Sequence, residues 1–379
     1  MKIDSYSPRI TRREALGYLG IGAAAGAYGA KASPFPKHAI IRTILKDMHP
    51  EELGGGATLF HEHMSLATDF MPKWITIARA QAAARGRAGA QSAAKQGTAA
   101  PVAPASAQPY FLEDLDLMVD EIKAAQKDGV ACLVDGGHED MGRKLDFLKQ
   151  LSERSGMPIV ASTGFYTQPF YPAEISTWSD DQIAQDLIHK ANTQPVGALG
   201  EIGSWDEITD DERKVFRAIA KVHLATNLPI FTHTGIPGKS AMEQLDILEK
   251  GGVKPQHIVI GHLGNLVDPD VKVQSEICKR GAFVGFDRQG GPGDAQQVPM
   301  VVKLIEKGFA ANLMFASDFS GANQLKRNNG AGYAKTVTVF APKLREAGVN
   351  EEVLHGILVD NPRRFLAFVP KKSRKSLSV

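Results

Sequence analysis

From residue 57 onward, short apolar runs alternate with longer stretches in which apolar and polar positions interleave. Eight runs are apolar enough to be buried strands: 57–63, 130–136, 158–164, 196–202, 228–233, 257–262, 282–287 and 312–318. Between them apolar residues recur at three- and four-residue spacing, as in 112–127, 142–154, 180–190 and 209–226. That period predicts amphipathic helices. Thr209, followed three positions later by Glu212, is a capping-box helix start. Eight β–α alternations predict parallel strands joined by helical crossovers, and the count suits closure into a (β/α)8 TIM barrel. An open doubly wound sheet is the alternative, but no Gly-x-Gly-x-x-Gly fingerprint follows a strand. The main part of the chain is expected to be one α/β barrel over residues 53–369, with 33–52 as a lead-in and 370–379 as a tail.

The runs end on residues that do not belong in an apolar core. His61 and His63 close the first, Glu201 the fourth, His233 the fifth, His262 the sixth and Asp318 the eighth. Alternate residues of a strand point to the same face, so His61 and His63 project together. In a barrel the C-terminal ends of the strands meet at one mouth, where catalytic groups gather. A lone histidine on an apolar strand is more often a hydrogen-bonded core residue than a ligand. Four imidazoles and two carboxylates at five strand ends are different. Buried carboxylates are costly unless a cation compensates, and this donor set suits one or two divalent metals.

Two stretches fall outside the alternation. Thr11-Arg12-Arg13-Glu14-Ala15-Leu16 is a twin-arginine pattern, followed by a modest Gly/Ala-rich apolar stretch and the small-x-small site Ala30-Lys31-Ala32. Residues 1–32 therefore read as a twin-arginine export signal, with a periplasmic or secreted destination. The apolar stretch is too short to remain as a membrane anchor. Residues 72–109 form an Ala-, Gln-, Gly- and Pro-rich insertion without Asp or Glu, between the first strand and the first helix. It reads as a low-complexity insertion, disordered or partly helical, with a basic lid over an anionic substrate as the alternative.

Formal net charge is +2. Lys2, Arg9, Arg12, Arg13 and Lys31 against Asp4 and Glu14 place +3 in the leader, which leaves −1 for the rest. No nucleic-acid partner is indicated. The 2 cysteines, Cys132 and Cys278, exclude a disulfide scaffold and a cysteine-based zinc site.

The chain resembles the phosphotriesterase-like family of the amidohydrolase superfamily. The words that carry the resemblance are Phe60-His61-Glu62-His63, Ser162-Thr163-Gly164-Phe165-Tyr166, Gly200-Glu201-Ile202-Gly203, Pro229-Ile230-Phe231-Thr232-His233, Ile260-Gly261-His262-Leu263, Ala316-Ser317-Asp318 and Leu358-Val359-Asp360-Asn361-Pro362-Arg363-Arg364-Phe365-Leu366. They run from about residue 53 to 369, apart from the insertion. The resemblance implies a barrel with a binuclear metal centre: one ion on His61, His63 and Asp318, the other on His233 and His262. Zinc is the first expectation, with manganese or cobalt as alternatives. In many members a carboxylated lysine bridges the ions; here that place holds Glu201 and no lysine, as in the glutamate-bridged, phosphotriesterase-related members.

The expected chemistry is hydrolysis of an ester, lactone, amide or phosphoester. Paired cations lower the pKa of a bridging water, and the resulting hydroxide attacks the substrate. Asp318 would take up the proton. Phe165, Tyr166, Trp205 and Arg288 follow strands on the same face and are candidate substrate contacts. His138 reads as a loop residue or as a partner orienting a ligand. A TatD-type nuclease on the same fold and a non-catalytic metal-binding barrel are the competing readings. The expected partner is a small molecule, without nucleic acid or stable membrane attachment, and a homodimer is open.

Overall fold

The computed structural model describes residues 35–84, 110–235, 238–266 and 268–371. The leader at 1–32 and residues 85–109 of the insertion lie outside the described residues. Eight parallel strands form one sheet: β3 (Ala57–Glu62), β4 (Val130–Asp135), β5 (Ile159–Thr163), β6 (Val196–Ser204), β7 (Ile230–Thr234), β8 (Ile258–Ile260), β9 (Phe283–Phe286) and β10 (Leu313–Phe315). They pair in sequence order, and apart from the half-buried Ala131 every strand residue is buried. Each neighbour in the order is reached through at least one helix, so this is the (β/α)8 barrel that the periodicity predicts.

The first and last strands meet at the C-terminal mouth. His63 N–H donates to Phe319 O at 3.1 Å, and Asp318 N–H donates to His61 O at 3.1 Å. Glu62 points the opposite way from its histidine neighbours and accepts from Ser317 N–H (2.8 Å), Ser317 Oγ–H (2.7 Å) and Phe319 N–H (3.0 Å). Burial pushes this carboxyl up to about 7 even against those donors. Glu62 thus ties together the backbone ends that carry His61, His63 and Asp318.

The expected helices are present with small shifts at their ends: α2 (Leu115–Lys127), α3 (Leu145–Ser155), α4 (Asp180–Thr193) and α5 (Asp210–Thr226). Ahead of them, α1 (Phe70–Ala84) takes in the first part of the insertion. The lead-in pairs β1 (Ile41–Arg42) with β2 (Asp47–Met48) as a small antiparallel hairpin. It crosses the N-terminal end of the barrel, where Ile44 N–H donates to Ile159 O at 2.7 Å. Among the described residues no helix is long and apolar enough to cross a membrane.

The capping box of α5 is complete: Thr209 Oγ1 accepts from Glu212 N–H, and Glu212 returns to Thr209 N–H. Thr209→Ala should lower stability by about 1 kcal/mol in a denaturant titration. An unchanged midpoint would show that α5 is held by packing alone.

Candidate metal centre

The six strand-end residues converge. Glu201 lies at their middle. Its Oε1 is 3.2 Å from His63 Nε2; its Oε2 is 3.3 Å from His61 Nε2, 2.8 Å from His233 Nδ1 and 3.5 Å from His262 Nε2. Asp318 Oδ1 stands 3.2 Å from His63 Nε2 and 3.9 Å from His61 Nε2, and Asp318 Oδ2 is 4.0 Å from His262 Nε2. Three groups have spacing that could hold a metal ion, and two of them are His61–His63–Glu201 and Glu201–His233–His262. Glu201 is common to both.

Local backbone explains the convergence. β3 and β6 are irregular where they carry His61 and Glu201: their ladders shift register between Leu59 and Glu62 and between Leu199 and Ile202. Such bulges re-aim a side chain near a functional site. β8 and β10 stop early, and the chain turns through positive φ at His262 (60°) and Asp318 (47°). Non-glycine residues in that region are strained by roughly 1–3 kcal/mol each, a cost found where a side chain must be delivered to a particular place.

One carboxylate not foreseen from the sequence organises the cluster. Asp287, just past β9, accepts from His61 Nδ1 at 3.0 Å and from His262 Nδ1 at 2.8 Å, and also from His262 N–H. Burial alone would raise Asp287, but the two imidazoles outweigh it and hold the carboxyl far below its ordinary range. An ionised Asp287 can only accept, so the Nδ1 of each ring carries a proton and each Nε2 is turned toward Glu201. Asp287 also lies close enough to His61 and His262 to share an ion with them, but its oxygens are already engaged by their Nδ1–H groups.

The remaining supports come from loops. His138 is buried; its Nε2 donates to Glu201 O at 3.0 Å, while its Nδ1 meets Asp140 at 2.6 Å. Asp140 also accepts from Tyr166 N–H. Gln244 donates to His233 O at 2.9 Å.

The charges are mutually adjusted. Burial lowers the His61 and His63 pKa values, but Glu201, Asp287 and Asp318 override it, and His63 rises to about 9. Burial drives His233 down to about 4, helped by His262 and Arg288 and opposed by Glu201. Burial alone would raise Asp318, yet Arg288 and the imidazoles hold it well below the carboxylate range. The donors fit a divalent cation: they are nitrogen and carboxylate oxygen, nearly all buried, and His61 Nε2 has no hydrogen-bond partner.

Of the four expected substrate contacts, three reach the cluster. Tyr166 Oη lies 3.0 Å from His233 Nδ1, the Trp205 ring centroid lies 6.1 Å from that of His233, and Arg288 Nε–H donates to Asp318 Oδ2 at 2.8 Å. Phe165 is the one that does not. It packs against Tyr171 and beneath the Lys190 ammonium of α4, on the helix side of its loop. Tyr166, the next residue, faces the opposite way.

Barrel and site together define a hydrolase of the phosphotriesterase family, which matches residues 40–366, and the chain belongs to it. Among its relatives is the N-acetyltaurine hydrolase of Salmo salar, 25% identical over 86% of this chain and 98% of the relative. The aryldialkylphosphatase of Saccharolobus solfataricus is 31% identical over 67% of this chain and 86% of its own length. A crystal structure of the phosphotriesterase homology protein from Escherichia coli, complexed with phosphate in the active site, is similar over 84% of this chain and all of that one, with a TM-score of 0.69 and 25% identity.

Asp287→Asn replaces an acceptor-only group by an amide that cannot serve both Nδ1–H donors. Affinity for zinc, measured by competition with a chelating dye, should fall roughly 10–100-fold. Unchanged affinity would mean that packing alone orients His61 and His262.

Proposed function

We propose that this chain is a binuclear metal-dependent hydrolase of ester, lactone, amide or phosphoester bonds. The supporting observation is the position of the Glu201 carboxylate, within 3.5 Å of all four imidazoles. His61, His63 and Asp318 would hold one divalent ion, His233 and His262 the other, and Glu201 both. Bound there, such ions supply an activated water and polarise the substrate oxygen. Zinc, manganese and cobalt all suit the donors.

The protein's own groups divide the remaining work. Asp287 fixes the tautomers of His61 and His262. Asp318, kept ionised beside Arg288, is the proton acceptor at the mouth and returns the proton to the leaving group. Among the six cluster side chains it is the most open to solvent, at 12% exposure. Arg288, at 18%, stands beside it and can pair with an anionic part of the substrate. N-acyl amides are the first substrates to try, since a relative aligned over nearly its whole length is named for one. Aryl phosphoesters and lactones come next.

Elemental analysis of the purified protein should find about two divalent ions per chain. Glu201→Ala should lose metal together with turnover. A single ion that survives Glu201→Ala with activity intact would replace this reading by a mononuclear one.

We also propose that residues 1–32 direct twin-arginine export. Arg12-Arg13 and Ala30-Lys31-Ala32 support this. Protein recovered from the periplasm should begin at Ser33 on N-terminal sequencing; an intact Met1 there would contradict it.

A further inference from the structure

The first turns of α1 lie on the site. Phe70, Trp74 and Ile77 share one helix face and are at least partly buried against the core. Phe70 packs on Tyr166 and Phe170, with ring centroids 5.5 and 4.8 Å away, and the Lys73 ammonium sits over Phe170 at 4.6 Å. Trp74 goes further in. Its Nε1–H donates to Tyr166 Oη at 2.8 Å, and that same oxygen is the one beside His233. The Arg288 guanidinium lies over the Trp74 ring at 5.7 Å. The Trp205 ring is 6.1 Å from it, inclined at 31°.

These contacts place Trp74 beside Arg288, whose partner Asp318 is the cluster side chain most open to solvent. His61, His63, Glu201, His233 and His262 side chains are 3% exposed or less, so access runs past Asp318 and Arg288. Trp74 covers Arg288 there. It also holds two groups that face the reacting space: Tyr166 by a hydrogen bond and Arg288 by a cation–π contact. Trp205 completes the wall; its buried Nε1–H has no partner among the described residues and is available to a substrate acceptor.

We propose that α1 is a wall of the substrate pocket, and that Trp74 is a positioning residue that limits the size of the substrate's acyl group and fixes Tyr166 and Arg288 beside the cluster. This rests on the hydrolase reading above. Two functions of one side chain separate by substitution. Trp74→Ala removes the wall and both contacts. Trp74→Phe keeps an aromatic face for Arg288 but lacks the N–H for Tyr166.

The test uses the full metal-loaded chain and 4-nitrophenyl esters of rising acyl length, from acetate to octanoate. Bound metal and melting temperature are measured alongside. Trp74→Ala should raise the octanoate-to-acetate ratio of kcat/KM about tenfold or more, because a pocket wall discriminates by the methylenes it excludes. Trp74→Phe should leave that ratio near its original value while kcat falls about tenfold, the loss of one hydrogen bond to a positioned group. An acyl profile and kcat unchanged in both variants overturn the proposal. So does a loss confined to melting temperature or metal content.

If the unsubstituted, metal-loaded protein turns over none of these esters, lactones, N-acyl amides or phosphoesters, the proposed function fails, and Trp74 is tested without turnover. In a Trp205→Phe background, inorganic phosphate added to the zinc-loaded protein should change tryptophan fluorescence, and Trp74→Phe should abolish the change. A change that survives, or none before the substitution, overturns the wall.

Discussion

The whole site depends on how one buried carboxylate divides the nitrogens of two histidines. Six polar groups converge inside an apolar barrel, where an unpaired charge costs several kcal/mol. Asp287 takes the Nδ1–H of His61 and of His262, so both Nε2 atoms face the same point. Without it the buried Nδ1–H of each ring would lose its acceptor, and nothing at that nitrogen would hold the ring's orientation. The backbone N–H of His262 also donates to Asp287, which ties the positive-φ turn after β8 to the end of β9. Ring orientation, tautomer and backbone turn are thus settled by the same two oxygens before any cation is considered.

Barrel closure is the second constraint, and it comes from the period of a strand. In His61-Glu62-His63 the alternation that sends both imidazoles inward sends the middle carboxylate outward. Glu62 meets Ser317 and Phe319 on either side of Asp318. One tripeptide therefore supplies two candidate ligands and the clamp that brings a third candidate alongside. Burial pushes the Glu62 carboxyl up to about 7, and the Ser317 and Phe319 donors and the Lys335 ammonium oppose that rise.

Much of this was legible in the sequence, and the reasons are specific. Apolar runs ending in His, Glu or Asp stand out because burial of such groups demands compensation, and the barrel count puts those ends at one mouth. Thr209 and Glu212 were readable because a capping box is local. Asp287 reads in the sequence only as the end of a run; nothing in one strand tells which histidines, 25 and 226 residues away, it will hold. Phe165 and Tyr166 are adjacent and both aromatic, and only the loop conformation decides which faces the cluster. Trp74 sat in a stretch whose composition reads as featureless, because an Ala-rich helix that docks by one face gives little periodic signal until its partner surface is known.

The glutamate at the fourth strand needs its own backbone. β6 carries Glu201 between Gly200 and Gly203, where it runs close against its neighbours. A Cβ on Gly203 would stand 2.6 Å from Tyr166 O, and one on Gly200 2.5 Å from the Phe231 ring, at a φ of 154° that side chains rarely adopt. These two positions let β6 press against its neighbours while the register shift beside them turns Glu201 inward. The Gly-Glu-Ile-Gly word is then a geometric unit. A larger residue at either glycine would lift the strand, lengthen the Glu201 contacts, and leave four imidazoles facing one another without the carboxylate that now separates them.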